Sequence, residues 1–64
     1  MSFAKARRVA GLSQISVAQK VNVDQSTVSL WETGKTMPRA ALLQQIAELY
    51  GCTVDDLLKS DNDA

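Results

Sequence analysis

Gln25, Ser26, Ser29 and Leu30 stand within the stretch "DQSTVSLWETGK" (Asp24–Lys35) and bring a carboxamide, two hydroxyls and a bare isobutyl group together. On a helix advancing about 100° per residue they share one flank, and Val28 and Trp31 fall on the other. A solvated helix face ordinarily carries Glu and Lys, which favour helix and hold water. Short uncharged polar groups in their place suit a surface meant to be touched. A glutamine amide can pair with adenine N6 and N7 at once, a serine hydroxyl can serve any base, and a leucine can meet a thymine methyl. Short side chains would also let the helix sit deep in a groove about 12 Å wide. The competing reading is a solvated face that happens to lack charge. It leaves the uncovered Leu30 unexplained.

Lys35, Thr36 and Arg39 follow directly and would reach a phosphate strand beside such a groove, positioning the helix without reading sequence. Thr27 joins them as a candidate phosphate contact. Backbone amides at helix starts near Gln14 and Gln25 could each hold a phosphate, helped by the helix dipole. The net charge of +0 hides an uneven spread. Residues 1–39 hold six cations against two acids, a net +4, and residues 40–64 hold one cation against five acids, a net −4. A basic end of that kind can face phosphates, although chance scatter on a small surface is the alternative.

Five short helices must position these groups. "SFAKARRVA" runs without a breaker to Gly11. Ser13 caps a second segment, "SQISVAQKV", whose Val17, Ala18 and Val21 share a face. "NVDQ" turns the chain with Val23 buried, and Asp24 caps the third helix, which runs from Gln25 to about Thr33 and ends at Gly34. Pro38 opens a longer helix over 39–50, closed by Gly51, and Thr53 with Asp56 forms an approximate capping box for "VDDLLK". Cap, helix, tight turn, cap, helix over 13–34 is the pattern of a helix-turn-helix. No stretch alternates with period two for long enough to make a strand. The reading is an all-α, compact five-helix bundle over residues 3–59, with an acidic, frayed tail at 60–64.

Composition removes other classes. Histidine is absent and Cys52 is the lone cysteine, so neither a zinc site nor an intrachain disulfide can form, and no cofactor or metal is expected. Without an imidazole there is no partner for a Ser or Cys nucleophile, which argues against an enzyme. Cys52, set in "YGCTV", reads as a small buried hydrophobe, with a reactive thiol as the alternative. No apolar run approaches the roughly 18 residues of a membrane span, and the N-terminus lacks the apolar core of a signal peptide. A cytoplasmic, intracellular chain is expected.

The stretch "GLSQISVAQKVNVDQSTVSLWETGKTMPRAALLQQIAELYGCTVDDLL" resembles the lambda-repressor-like, Cro/XRE-type helix-turn-helix domains of bacteria and phages. The motif elements are Gly11-Leu12-Ser13-Gln14, Val17-Ala18, Val23, the block Ser26 to Lys35, Pro38, Tyr50-Gly51-Cys52 and Leu57-Leu58. The resemblance covers about Phe3 to Lys59. It implies a transcriptional regulator, expected here as a phage or prophage type repressor, that binds a double-stranded DNA operator as a homodimer and lies on the bacterial nucleoid when bound. It also implies that Gln14 clamps a phosphate, that Gln25, Ser26, Ser29 and Leu30 read bases, and that Lys35 and Thr36 touch the backbone. Arg7 matches an arginine that pairs with the glutamate at Glu32, which would pin the first helix to the third; direct contact of Arg7 with phosphate is the alternative.

Departures from the family pattern carry their own expectations. Ala6 replaces a larger apolar residue, so the first helix should pack closer or more weakly. Arg39 takes the place of a Ser or Thr cap. Ile15, Leu42 and Leu49 stand where polar residues are usual, and Leu42 and Leu49, two turns apart on one helix, could form a dimer seam. The alternative function is a protein-interaction module of the same fold, of antitoxin or anti-repressor type.

Overall fold

Hydroxyl caps on three helices and left-handed stops after four bound the five helices in the computed structural model, which describes residues 2–59. They are α1 (Phe3–Val9), α2 (Gln14–Val21), α3 (Gln25–Thr33), α4 (Ala40–Tyr50) and α5 (Val54–Leu58). Ser2 Oγ accepts the Lys5 amide at 3.1 Å and Ser13 Oγ accepts the Ser16 amide at 3.0 Å, each satisfying a donor that has no partner inside its helix. Thr53 and Asp56 make the full reciprocal box, at 3.0 and 3.3 Å. The expected tail, 60–64, lies outside the described residues.

The ends of α1 to α4 follow one scheme, whereas α5 ends at Lys59 in an extended conformation. A residue in the left-handed region turns the chain, and the next amide reaches back to a carbonyl five residues earlier. Lys35 N–H donates to Leu30 O at 3.0 Å across Gly34 (φ 81°), and Val23 N–H donates to Ala18 O at 2.9 Å across Asn22. Asn22, at φ 61°, is the non-glycine residue among those described that accepts this conformation, which asparagine tolerates better than most. That left-handed residue makes the α2–α3 turn tight.

Two sequence expectations change here. Asp24 occupies the cap position of α3, but its side chain makes no cap hydrogen bond. The helix opens on the backbone alone: Asp24 O accepts from Thr27 N–H at 3.0 Å and Val28 N–H at 3.3 Å. Val23 is half-buried and packs on the rim of the core, because a turn residue between two helices has protein on one side only.

Each helix sends apolar groups into one core. Phe3 and Ala6 come from α1, Val17 and Ala18 from α2, Val28 and Trp31 from α3, Leu43, Ile46, Ala47 and Tyr50 from α4, and Leu57 from α5. Ile46, Val17 and Val28 are fully buried, and α2 packs chiefly against α3. Ala6 is 1% exposed, so α1 lies close enough to bury even its small side chain. Pro38 is buried and leads into α4, with Arg39 at the cap position and no side-chain cap bond, as a guanidinium cannot accept one.

A chain of this length holds on the order of 3–10 kcal/mol of total stability. Ile46→Ala should therefore remove about 2–5 kcal/mol, a large share, by opening a cavity at the centre of the core. Urea denaturation followed by Trp31 fluorescence measures it, and a loss below about 1 kcal/mol would show that the core closes around the gap.

Candidate nucleic-acid interface

The inward pull on α3 decides its outward face. Val28 is 0% and Trp31 4% exposed, so the helix cannot rotate without bringing its largest apolar groups into water. Gln25, Ser26 and Leu30 are exposed in consequence, and Ser29 and Thr27 are half-buried at the edges of that face. Leu30 is 38% exposed in the midst of polar neighbours. Lys35 and Thr36 are exposed and held beside the C-terminal turn of α3, since both their amides point at Leu30 O, at 3.0 and 3.4 Å. Arg39 is exposed at the start of α4.

A polar network ties this helix to α1 and to the start of α2. Arg7 Nε donates to Glu32 Oε2 at 2.6 Å, and Arg7 Nη2 donates to Glu32 Oε1 at 3.2 Å, a two-pronged ion pair between α1 and α3. Arg7 Nη1 donates to Leu12 O at 3.0 Å, which ties in the segment before α2. Gln14 Nε2 donates to Glu32 Oε1 at 2.9 Å, and Gln25 Nε2 donates to Gln14 Oε1 at 3.4 Å. The side chains of Arg7 and Glu32 are 15% and 9% exposed, so the pair is largely screened from water. Sequence reasoning named Gln14 only for phosphate and missed its bond to Glu32. The two are 18 positions apart, a separation that no helical or strand period marks.

Charge states follow from these contacts. Burial pushes the Glu32 carboxyl up, but hydrogen bonds from Arg7 and Gln14 and the charges of Arg7 and Arg8 outweigh it, so the group ionises below its ordinary value. Burial, together with the nearby Glu32 charge, pushes Tyr50 up to about 12. Burial and the Asp56 charge also raise Cys52, which keeps the half-buried thiol protonated and poorly nucleophilic. Among the described residues no group of His, Cys, Asp or Glu could hold a metal ion, and no helix is long and apolar enough to cross a membrane.

Leu42 and Leu49, the candidate dimer seam, are only partly open to solvent. Both are half-buried and packed against the core, because the face of α4 they share lies over the interior as well as its rim. The large apolar groups with most exposure are Val9, Ile15, Leu30, Met37 and Leu58.

A helix-turn-helix family model matches residues 4–57. The chain belongs to the helix-turn-helix family of Cro/C1 type. That family consists of DNA-binding transcription regulators. The chain is also 32% identical over 50 residues to the HTH-type transcriptional activator BcrR of Enterococcus faecalis, a match that takes in 78% of this chain and 24% of that protein. The chain thus spans about a quarter of the curated relative's length. No solved structure matches it significantly. Within this helix-turn-helix, α2 and α3 are the paired helices of the motif, and the Arg7–Glu32 bridge joins the second of them to α1.

Glu32→Gln keeps the shape of the side chain and removes its charge. At neutral pH it should cost about 1.5–3 kcal/mol, the worth of hydrogen bonds to a charged group. The pH dependence carries the sign. A carboxyl with a depressed folded pKa stabilises fully above the ordinary carboxyl range, near about 4.3, and loses that contribution as pH falls through its own lower value. Wild type should therefore decline more steeply than Glu32→Gln below that range, in denaturation curves taken from neutral to acid pH. Parallel declines would show that Glu32 is not the group responsible.

Proposed function

We propose that this chain is a sequence-specific regulator that lays α3 in the major groove of a double-stranded DNA operator. The observation that carries the reading is the face of Gln25, Ser26, Ser29 and Leu30, left outward because Val28 and Trp31 are locked inward. Gln25 offers an amide for adenine, Ser26 and Ser29 offer hydroxyls, and Leu30 offers apolar contact for a thymine methyl. Lys35, Thr36, Thr27 and Arg39 supply phosphate contacts, and Gln14 presents its amide at the start of α2. The α2 start is the better of the two helix ends for a phosphate, since Asp24 places a carboxylate beside the start of α3.

A homodimer would set two copies of α3 on half-sites roughly 34 Å apart, one turn of duplex. The part of Leu49 that remains exposed, in a shallow groove with Lys20, Val21, Gln45 and Glu48, is the seam we assign to it. The finer role is repression of phage or prophage type in a bacterial cytoplasm. Repression asks of a domain only that it occupy its site. The named relative is an activator, so a reporter carrying the operator decides the sign: lower expression supports repression and higher expression overturns it.

Selection of sites from random duplexes tests the reading. Wild type should enrich one motif, with affinity falling steeply as salt rises through counterion release. Gln25→Ala should cost about 1–3 kcal/mol and relax one base position, whereas Lys35→Ala should weaken all sequences alike and lower the salt slope by about 1. A chain that enriches no motif would overturn the proposal. Sedimentation of the complex should give two chains per operator, and one chain per operator would remove the homodimer.

A further inference from the structure

We infer that Leu30 makes operator occupancy depend on a pyrimidine C5-methyl group, and that 5-methylcytosine serves this contact as well as thymine does. The inference rests on the proposed binding of α3 to DNA and names the chemical group that one side chain takes. Its consequence is that methylation of cytosine at C5 strengthens a site for this domain, which ties occupancy to the methyl state of the duplex.

Leu30 is the apolar member of an otherwise polar outer flank. It is 38% exposed, and Val28 and Trp31 fill the core beneath α3 without it. A helical side chain covers the turn N-terminal to its own Cα, so Leu30 leans over the turn of Ser26 and Thr27. Side chains spaced like Ser26 and Leu30, one turn apart, have Cβ atoms about 5–6 Å from one another. Ser26 is exposed, and its hydroxyl makes no hydrogen bond to another described residue. Charged groups stay off this turn. Glu32 is bonded to Arg7 and Gln14, Asp24 precedes the helix, and Lys35 follows it.

On a pyrimidine the C5 position adjoins the exocyclic group at C4. A side chain that meets the methyl therefore has its near neighbour beside O4 of thymine or the N4 amino group of cytosine. These two groups are opposite in sense, since O4 accepts and N4 donates. A hydroxyl can answer either, because it carries one donor and two acceptor lone pairs and its hydrogen turns to suit. A carboxylate at position 26 would favour the N4 donor, and an ammonium would favour the O4 acceptor. Leu30 thus supplies the selective contact, and Ser26 imposes no choice at C4. Together they separate methylated pyrimidines from cytosine and uracil, and they treat thymine and 5-methylcytosine alike.

Duplexes carrying the motif selected by wild type test this, with binding measured at fixed salt. Each thymine is replaced singly by uracil, which lacks only the methyl. At one position the change should weaken wild type about fourfold, the worth of one buried methyl-sized group, and leave Leu30→Ala unaffected. At that position a 5-methylcytosine·guanine pair should bind within about fivefold of thymine·adenine, the lower edge of the usual loss for one changed base pair. It should also bind about fourfold better than cytosine·guanine. A motif with no thymine at which uracil costs affinity overturns the inference while the DNA-binding reading stands. So does a 5-methylcytosine pair that is no better than cytosine, or one weaker than thymine by more than that margin. A uracil penalty of the same size in Leu30→Ala assigns the methyl to another side chain and overturns it too. The duplex comparisons on wild type need no variant, so they decide the matter even if Leu30→Ala folds poorly. A wild type that selects no motif overturns both readings.

Discussion

The bond pair between Arg7 and Glu32 joins parts of the chain that backbone hydrogen bonds cannot reach. Helical bonds act within one helix, and the left-handed closures act within one turn. Relating α1 to α3 requires side chains, and here a guanidinium grips both oxygens of one carboxylate and a loop carbonyl as well. Surface ion pairs of this kind contribute little, because water competes for both charges. This one is largely screened, with the carboxylate satisfied three times over, so it belongs to the class where loss of one partner is costly. Its position also matters: it fixes α3 along its own axis, and the apolar contacts of Val28 and Trp31 fix its rotation.

Those two constraints divide the work on a helix of nine residues. The apolar side supplies burial, which is indifferent to small changes of direction. The ion pair supplies direction, which burial alone would leave loose. The remaining flank is then relieved of structural duty, and its residues can be chosen for contact. That is why Leu30 can stay at the surface: the core is filled without it. In so short a chain there is little stability to spare for polar groups without a structural role, and the network reaches the outer face with side chains that also brace the fold.

Much of the fold was legible because it rests on local rules. Ser13 and Thr53 cap because a hydroxyl three residues before a free amide can reach it, and Gly34 stops α3 because the left-handed turn is open to glycine. The two flanks of α3 follow from helical rotation alone. What stayed hidden depends on the third dimension. Asp24 has the right type at the right position, yet its carboxylate makes no cap bond. Leu42 and Leu49 read as a spare apolar pair because sequence spacing locates a face without saying what lies beneath it; both pack partly on the core. The family resemblance suggested the Arg7–Glu32 contact and a phosphate role for Gln14, but neither pattern nor resemblance indicated that Gln14 would share the same carboxylate.

That sharing carries an argument about hydrogen-bond direction in small domains. An amide at a protein surface is usually free to turn, so its donor and acceptor ends are equivalent in their average effect. A neighbour that can only accept breaks the equivalence, and every amide linked to that neighbour inherits a direction. Glu32 is such a neighbour, held ionised by the same arginine that holds the helices together. The charge required for packing α1 against α3 therefore also orients the neighbouring amide of Gln14. Replacing the ion pair with apolar side chains of similar volume could keep the packing, as often happens with buried pairs. It could not keep the direction of the amides, because packing has no donor or acceptor end.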